Sequence, residues 1–185
     1  MKPPGYYLEH IDLKARAKPD FSTLFVDPEV FRNLTLDLCR PFAKTPIDKV
    51  ACPESMGFLF GAAVARHLKK GLVPIRKAGR LPTLKNRIVR QSFVDYTKQK
   101  NAFEMNRGLV APGDRILLVD DWAETGGQLR GLIRLLERQG AEIAGISLLG
   151  FNRIERTRDL AERYPLRAII EHTLEGERDL TKPLA

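Results

Sequence analysis

Short apolar runs alternate with longer stretches of helical period along the chain. Five runs have the character of buried strands: 48–52, 72–76, 115–120, 142–149 and 166–170. Three stretches have helical spacing: 57–70, 129–139 and 152–163. Gly71 and Gly140 are expected to end the first two helices. The alternation predicts an α/β fold, with a parallel sheet of about five strands and helices on both faces, in a single domain over residues 1–185.

The stretch 82–107 interrupts this alternation, because it is long and has no clear period. Between Arg66 and Arg107 there are twelve Lys or Arg residues against two acids, a net charge of +10 in a chain whose total is +8. The charge fits a solvated surface, a nucleic-acid surface, or the entrance to a site for a small polyanion. Sparse aromatic residues make nucleic acid the less favoured partner.

Composition restricts the class of protein. With 43% hydrophobic and 29% charged residues, the chain is expected to be globular, and no apolar run reaches the length of about 18 residues that a membrane span requires. Glu9, His10 and Asp12 interrupt the start, so no secretory signal is expected. Cys39 and Cys52 lack metal-ligand spacing, and we expect buried, reduced thiols in a cytoplasmic protein.

The segment 116–128 carries the strongest chemical signal. Four apolar residues lead to Asp120 and Asp121, and a Thr-Gly-Gly turn then opens a helix. Glycines allow a ligand to approach the backbone, and the start of a helix offers unpaired N–H groups to an anion. Carboxylates accept hydrogen bonds from hydroxyls. The pattern therefore predicts a ribose phosphate site made of Asp120, Asp121, Ala123, Glu124, Thr125, Gly126, Gly127 and Gln128.

This pattern resembles the signature with which type I phosphoribosyltransferases bind 5-phosphoribosyl 1-pyrophosphate (PRPP). In that family two acids and three variable residues precede Thr-Gly-Gly-Thr, and Gln128 replaces the last Thr. Three further stretches resemble adenine phosphoribosyltransferase: SMGFLFG at 55–61, IRKAGRLP at 75–82 and SFVDY at 92–96. The resemblance covers about residues 19–150. It implies the type I phosphoribosyltransferase fold, a small N-terminal hood over 1–27, a flexible catalytic loop over 80–107, and a homodimer.

The resemblance also implies a role for individual residues around pyrophosphate. Mg²⁺ is implied as the cofactor, held by Asp120 and Asp121 directly or through PRPP and water. Met56 stands where the family has Arg, which removes a bidentate cation and puts the catalytic rate in question. The residues matched to the pyrophosphate site are Ser55, Met56, Gly57, Arg76 and Lys77.

On the acceptor side, two acids are candidates for proton transfer. Asp95 matches the acid of the flexible loop that is thought to carry a proton to the purine, and Glu124 lies where 6-oxopurine enzymes often have Asp. Phe25 and Val26 match the base-binding positions of the hood, although Val26 replaces an Arg. Trp122 either lines the pocket or packs beneath the turn, and the sequence does not separate these alternatives.

The predicted function is transfer of a phosphoribosyl group from PRPP to a purine-type base, adenine or a related one, with release of pyrophosphate. Two alternatives share the same fold. One is a non-catalytic regulator that senses PRPP or a nucleotide, which the loss of Arg at Met56 would suit. The other is an enzyme of specialised metabolism with a non-purine acceptor. The expected partners are PRPP and a nitrogenous base, with neither a membrane nor nucleic acid.

Overall fold

The strands form one mixed sheet in the computed structural model, which describes residues 1–11, 20–94 and 99–173. The strands are β1 (Lys49–Pro53), β2 (Gly71–Lys77), β3 (Ile88–Val94), β4 (Lys100–Asn106), β5 (Arg115–Ala123), β6 (Glu142–Arg153) and β7 (Leu166–Thr173). Their order in the sheet is β3-β4-β2-β1-β5-β6-β7. The five neighbours β2, β1, β5, β6 and β7 run parallel, which confirms the five predicted parallel strands. An antiparallel pair, β3 and β4, extends the sheet beyond β2.

Helices cover both faces of the sheet, as predicted. They are α1 (Pro4–Leu8), α2 (Thr23–Val26), α3 (Pro28–Cys39), α4 (Gly57–Leu68), α5 (Gly127–Glu137) and α6 (Arg158–Arg163). One face packs against α3 and α4, and the other against α5, whose predicted apolar stripe from Leu129 to Leu136 is buried. Apolar burial on both faces is what a largely parallel sheet requires.

The pair β3–β4 lies in the stretch for which the sequence pattern predicted no strand. Its burial does not alternate cleanly, because Ala102 to Met105 are all buried, including Glu104. The carboxylate of Glu104 accepts a hydrogen bond from the backbone N–H of Gly79 and lies 3.6 Å from the guanidinium of Arg90. These segments are therefore strands because they pair with neighbouring strands, and not because apolar and polar residues alternate along them. Asp95, in the connection between them, lies outside the described residues.

Several predicted boundaries were wrong. Helix α4 ends at Leu68, where Lys69 adopts the left-handed conformation at φ 56°, and Gly71 instead begins β2. The stretch 152–163 is not one helix, since β6 runs to Arg153 and only Arg158–Arg163 is α-helical. Helix α5 ends at Glu137, two residues before the predicted end, and Gly140, at φ 82°, lies in the turn that follows it.

The N-terminal segment packs against α3. Tyr7 is fully buried, and its hydroxyl donates to Asp37 over 2.7 Å, while burial raises the pKa of Tyr7. Cys39 and Cys52 are buried thiols, and desolvation raises the pKa of each to about 12. Among the residues described, no helix is long and apolar enough to cross a bilayer.

Candidate active site

The acid pair lies on β5, which continues beyond its predicted end at Asp120. Asp120 and Asp121 are both within the strand, which runs on to Ala123, so the turn is confined to residues 124–126. The pair is half-buried, and each carboxylate is fixed locally: Asp121 donates its backbone N–H to Asp120 over 2.9 Å, and Trp122 donates to Asp121 over 2.6 Å. Both acids are therefore held at the carboxyl end of a central strand, where α/β sheets bind ligands.

Gly57, at the start of α4, brings the predicted pyrophosphate loop against this pair. A Cβ on Gly57 would lie 2.9 Å from Oδ1 of Asp120 and 2.8 Å from Cδ of Pro53. Only a residue without a side chain allows this approach. The fold thus places the 55–57 loop beside the acid pair, although the two are more than sixty residues apart in the chain.

Electrostatics within the acid pair favour a nearby cation. Burial raises the pKa of Asp120 well above its usual value, and the charge of Asp121 raises it further. Lys77 acts in the opposite direction, so its ammonium group lies close enough to affect Asp120. Two carboxylates that repel each other, with one cation nearby, form an environment in which a bound divalent ion would relieve the repulsion.

Glu54, which was not among the predicted site residues, fixes the end of β2 that carries Lys77. Its carboxylate accepts from Arg76 Nε at 2.9 Å, from the backbone N–H of Lys77 at 3.1 Å and from Arg80 at 2.9 Å. Desolvation opposes its charge, but the hydrogen bonds from Arg76 and Arg80 prevail and lower the pKa of Glu54 to about 2. Its position directly after strand β1 was the available signal.

The remaining predicted pyrophosphate residues differ in their surroundings. Ser55 is exposed in the loop, and the peptide bond that precedes it is cis. Met56 is half-buried and packs against the apolar layer formed by α3 and α4. Arg76 forms an ion pair with Glu54. It could therefore replace the Arg that the family has at position 56 only by breaking that ion pair.

Glycines shape the turn between β5 and α5. Gly126 has φ 74° and ψ 0°, a left-handed conformation that glycine adopts without strain. A Cβ there would lie 2.6 Å from Leu160 Cδ1 and 2.7 Å from Arg130 Nη1, and a Cβ on Gly127 would collide with the carbonyl oxygen of Val94. The backbone of β3 therefore closes one side of the turn. Ala123 and Gly126 are buried, whereas Glu124, Thr125 and Gln128 are half-buried.

The predicted base-binding residues, Phe25 and Val26, are the last two residues of α2. Phe25 is half-buried and meets Phe31 and Phe60 edge-on, with ring centroids 5.2 and 5.1 Å apart, so it belongs to the packing of α3 and α4. Val26 is 82% exposed. The contacts described for these two residues do not include Asp120 or Asp121.

Trp122 forms an aromatic cluster at the end of β5. Its ring stacks on Phe21 with centroids 6.1 Å apart, and it lies 5.5 Å from the ring of His172. The indole N–H donates to Oδ1 of Asn152 over 3.0 Å, and Gly150 leaves the space that the indole occupies. Trp122 therefore packs over β6 and β7, on the side of the acid pair away from β1.

The sequence of the chain matches a known protein family. A family described as "Phosphoribosyl transferase domain" matches residues 32–177. The chain belongs to this phosphoribosyltransferase family. Adenine phosphoribosyltransferase of Dinoroseobacter shibae is 45% identical over 131 residues, 70% of each chain. That of Rhodopseudomonas palustris is 38% identical over 157 residues, 82% of this chain and 75% of the relative.

Solved structures agree with the family assignment. The adenine phosphoribosyltransferase of Rhodothermus marinus superposes with a TM-score of 0.81 at 29% identity, covering 91% of this chain and 97% of that one. The Giardia lamblia enzyme, complexed with 9-deazaadenine, superposes with a TM-score of 0.82 at 25% identity, covering 94% and 100%. The type I phosphoribosyltransferase fold is thereby confirmed, and this phosphoribosyltransferase is an enzyme of the pentosyl-transfer class.

Proposed function

We propose that this phosphoribosyltransferase transfers the phosphoribosyl group of PRPP to adenine, with release of pyrophosphate. The observation that carries the proposal is the contact between Gly57 and Asp120, which joins a phosphate-type loop to an acid pair at one strand end. The names of the relatives, adenine phosphoribosyltransferases at 38–45% identity, support the choice of base.

The donor would lie across the ends of β1, β2 and β5. Asp120 and Asp121 would accept hydrogen bonds from the ribose hydroxyls, and the turn 123–128 would bind the 5-phosphate at the start of α5. The loop 55–57 and Lys77 would face the pyrophosphate. The carboxylates would then face the neutral ribose hydroxyls, whereas the start of α5 and Lys77 would face the negatively charged phosphates.

Mg²⁺ fits this arrangement as a cofactor held mainly by the substrate. The described residues contain no group of three or more His, Cys, Asp or Glu that could hold a metal on their own. Mg²⁺ keeps several waters and typically binds through one or two carboxylates and substrate phosphates, which Asp120, Asp121 and PRPP would supply. When bound, it offsets the charge that develops on the leaving pyrophosphate.

The reaction would form a bond from a ring nitrogen of the base to C1 of the ribose while the bond from C1 to the pyrophosphate oxygen breaks. The ring nitrogen must also lose its proton. Glu124, half-buried beside the phosphate turn, is one acceptor for that proton, and Asp95 is the other predicted candidate. Because the transition state carries positive charge on the ribose, the carboxylates Asp120 and Asp121 would also stabilise it electrostatically.

Membership of the phosphoribosyltransferase family sets aside the non-catalytic PRPP sensor that the sequence left open. The features that suited a sensor concern the rate of turnover instead. Met56 in the pyrophosphate loop is apolar, and Glu54 engages Arg76 and Arg80, which leaves fewer cations to stabilise the leaving group.

Pyrophosphate release with a panel of bases tests the proposed acceptor. The protein is incubated with PRPP, Mg²⁺ and adenine, hypoxanthine, guanine or no base. We expect release that requires adenine and accompanies formation of adenosine monophosphate. PRPP binding without release that depends on adenine would reject the proposed function.

The acid that carries the proton is tested with matched variants. Glu124→Gln and Asp95→Asn each remove a charge while keeping the shape of the side chain. We expect at least one to lower kcat by about a hundredfold, the usual contribution of general acid–base catalysis. If neither lowers kcat, both assignments are wrong. Light scattering of the same samples tests the homodimer that the family resemblance implies.

A further inference from the structure

Arg130, on the first turn of α5, connects the phosphate turn to α6. Its Nη1 donates to the carbonyl oxygen of Thr125 over 3.1 Å. Its Nε donates to Asp159 Oδ2 over 3.3 Å, and Nη2 donates to both Oδ1 of Asp159 and the carbonyl oxygen of Arg156. One guanidinium thus binds two backbone carbonyls and one carboxylate, from two separate segments of the chain.

The first of these bonds fixes the orientation of one peptide unit. In a trans peptide the C=O and the N–H point in opposite directions. Because the carbonyl of Thr125 points to Arg130 and α6, the N–H of Gly126 points to the other side of the turn. That is the side on which an anion at the start of α5 would lie. A flipped peptide would instead present a carbonyl oxygen to the phosphate and repel it.

The surroundings make the guanidinium part of the turn. Gly126 is in the left-handed conformation, and a Cβ there would lie 2.7 Å from Arg130 Nη1, so the side chain fills the space behind the glycine. Asp159 holds the guanidinium, and the hydrogen bond from Arg130 lowers the pKa of Asp159. The side chain of Arg130 is only 26% exposed.

We propose that Arg130 is a positioning residue for the phosphoribosyl donor: it holds the Thr125–Gly126 peptide with its N–H toward the 5-phosphate, and Asp159 holds Arg130 in place. Arg130 acts through the backbone and does not itself contact the substrate. The inference rests on the proposed function, because it requires that the turn bind the 5-phosphate of PRPP. Helix α6 thereby supports the active site, because it carries Asp159.

Two half-ligands separate this role from a general structural one. Ribose 5-phosphate occupies the phosphate turn, whereas pyrophosphate with Mg²⁺ occupies the opposite end of the site. In Arg130→Met we expect the affinity for ribose 5-phosphate to fall roughly tenfold or more, the usual effect of losing a charge-assisted hydrogen bond. The affinity for pyrophosphate should stay within about twofold of the wild-type value, because the loop 55–57 that would bind it follows β1 and not β5. Both are measured by calorimetry.

Arg134→Met is the matched control, because it removes the same charge one turn further along α5, from an exposed position. We expect it to bind both ligands as the wild type does. Arg130→Lys keeps the charge but cannot serve all three acceptors, so its affinity for ribose 5-phosphate should also fall. If Arg130→Met does not fold, Asp159→Asn decides in its place, with the same selective loss expected to a smaller extent.

Each outcome has a distinct meaning. Wild-type protein that binds neither PRPP nor ribose 5-phosphate would reject the proposed function and this inference together. Wild-type binding with an unchanged Arg130→Met affinity for ribose 5-phosphate would overturn the inference alone. Equal losses for ribose 5-phosphate and pyrophosphate would also overturn it, because they would show a general defect of folding.

Discussion

Replacing Gly57 with alanine tests the contact that joins the pyrophosphate loop to the acid pair. Alanine adds a single methyl group at the first residue of α4. It does so where the structure places Pro53 Cδ at 2.8 Å and Asp120 Oδ1 at 2.9 Å from the new carbon. Non-bonded carbon atoms prefer about 3.5–4.0 Å, so α4, the proline ring or the carboxylate must move by roughly half an ångström or more.

Two opposing effects set the size of the change in stability. Alanine has the higher helix propensity, which favours the folded state by up to about 1 kcal/mol. Overpacking in a rigid environment costs about 1–3 kcal/mol, and Pro53 is buried in strand β1, where it cannot easily yield. We therefore expect a net loss of about 1–2 kcal/mol in the free energy of unfolding. The affinity for PRPP should fall as well, since the displaced side chain is that of Asp120.

Urea unfolding and PRPP calorimetry measure the two effects. Gly5→Ala is the control, because Gly5 also lies in a helix and has open space around its Cβ position. It should be neutral or slightly stabilising. A Gly57→Ala protein that unfolds at the wild-type urea concentration, or at a higher one, and binds PRPP normally would refute the close approach of α4 to Asp120.

Other predictions test neighbouring parts of the site. Gly127→Ala should destabilise the protein more than Gly57→Ala, because the new carbon collides with backbone, the Val94 carbonyl oxygen; a smaller loss in urea unfolding would contradict this packing. Glu54 has its pKa lowered to about 2, so its contribution to stability is present above about pH 4.3 and is lost as pH falls toward 2. Glu54→Gln should lack that part of the acid dependence, whereas an unchanged unfolding profile would exclude the ion pairs. Folding raises the pKa of Asp120, so wild-type stability falls as pH rises from about 3.9 through the raised value. Asp120→Asn should therefore be more stable than wild type at pH 8, with a gain that shrinks toward pH 4; equal stability at both pH values would exclude the desolvated charge.

The sequence pattern predicted the central sheet because burial on both faces leaves continuous apolar runs. Each run between residue 48 and residue 170 became a parallel strand, and the apolar stripe of α5 is buried as expected. The hairpin β3–β4 was missed because its strands are defined by pairing with β2 and with each other. Its pattern is further obscured by Glu104, a buried carboxylate that is satisfied by Gly79 N–H and lies near Arg90.

The candidate site was predictable where one short segment carries the chemistry, and less so where side chains from distant segments combine. The acids and glycines from Asp120 to Gly127 form one local pattern. Glu54 and Arg130 act through hydrogen bonds to backbone atoms that no local spacing reveals. The assignment of Phe25 and Val26 to the base follows from a family resemblance alone, and it stays a prediction.

The acid pair on β5 is expected to bind PRPP, and the proposed function depends most on this binding. Calorimetric titration of PRPP with Mg²⁺ into the double variant Asp120→Asn with Asp121→Asn tests it directly. The control variant, Glu142→Gln with Glu162→Gln, changes the net charge equally at two exposed acids elsewhere. We predict that the control binds PRPP like the wild type and that the Asp120/Asp121 variant shows no measurable binding. Wild-type affinity in that variant would contradict the placement of the donor.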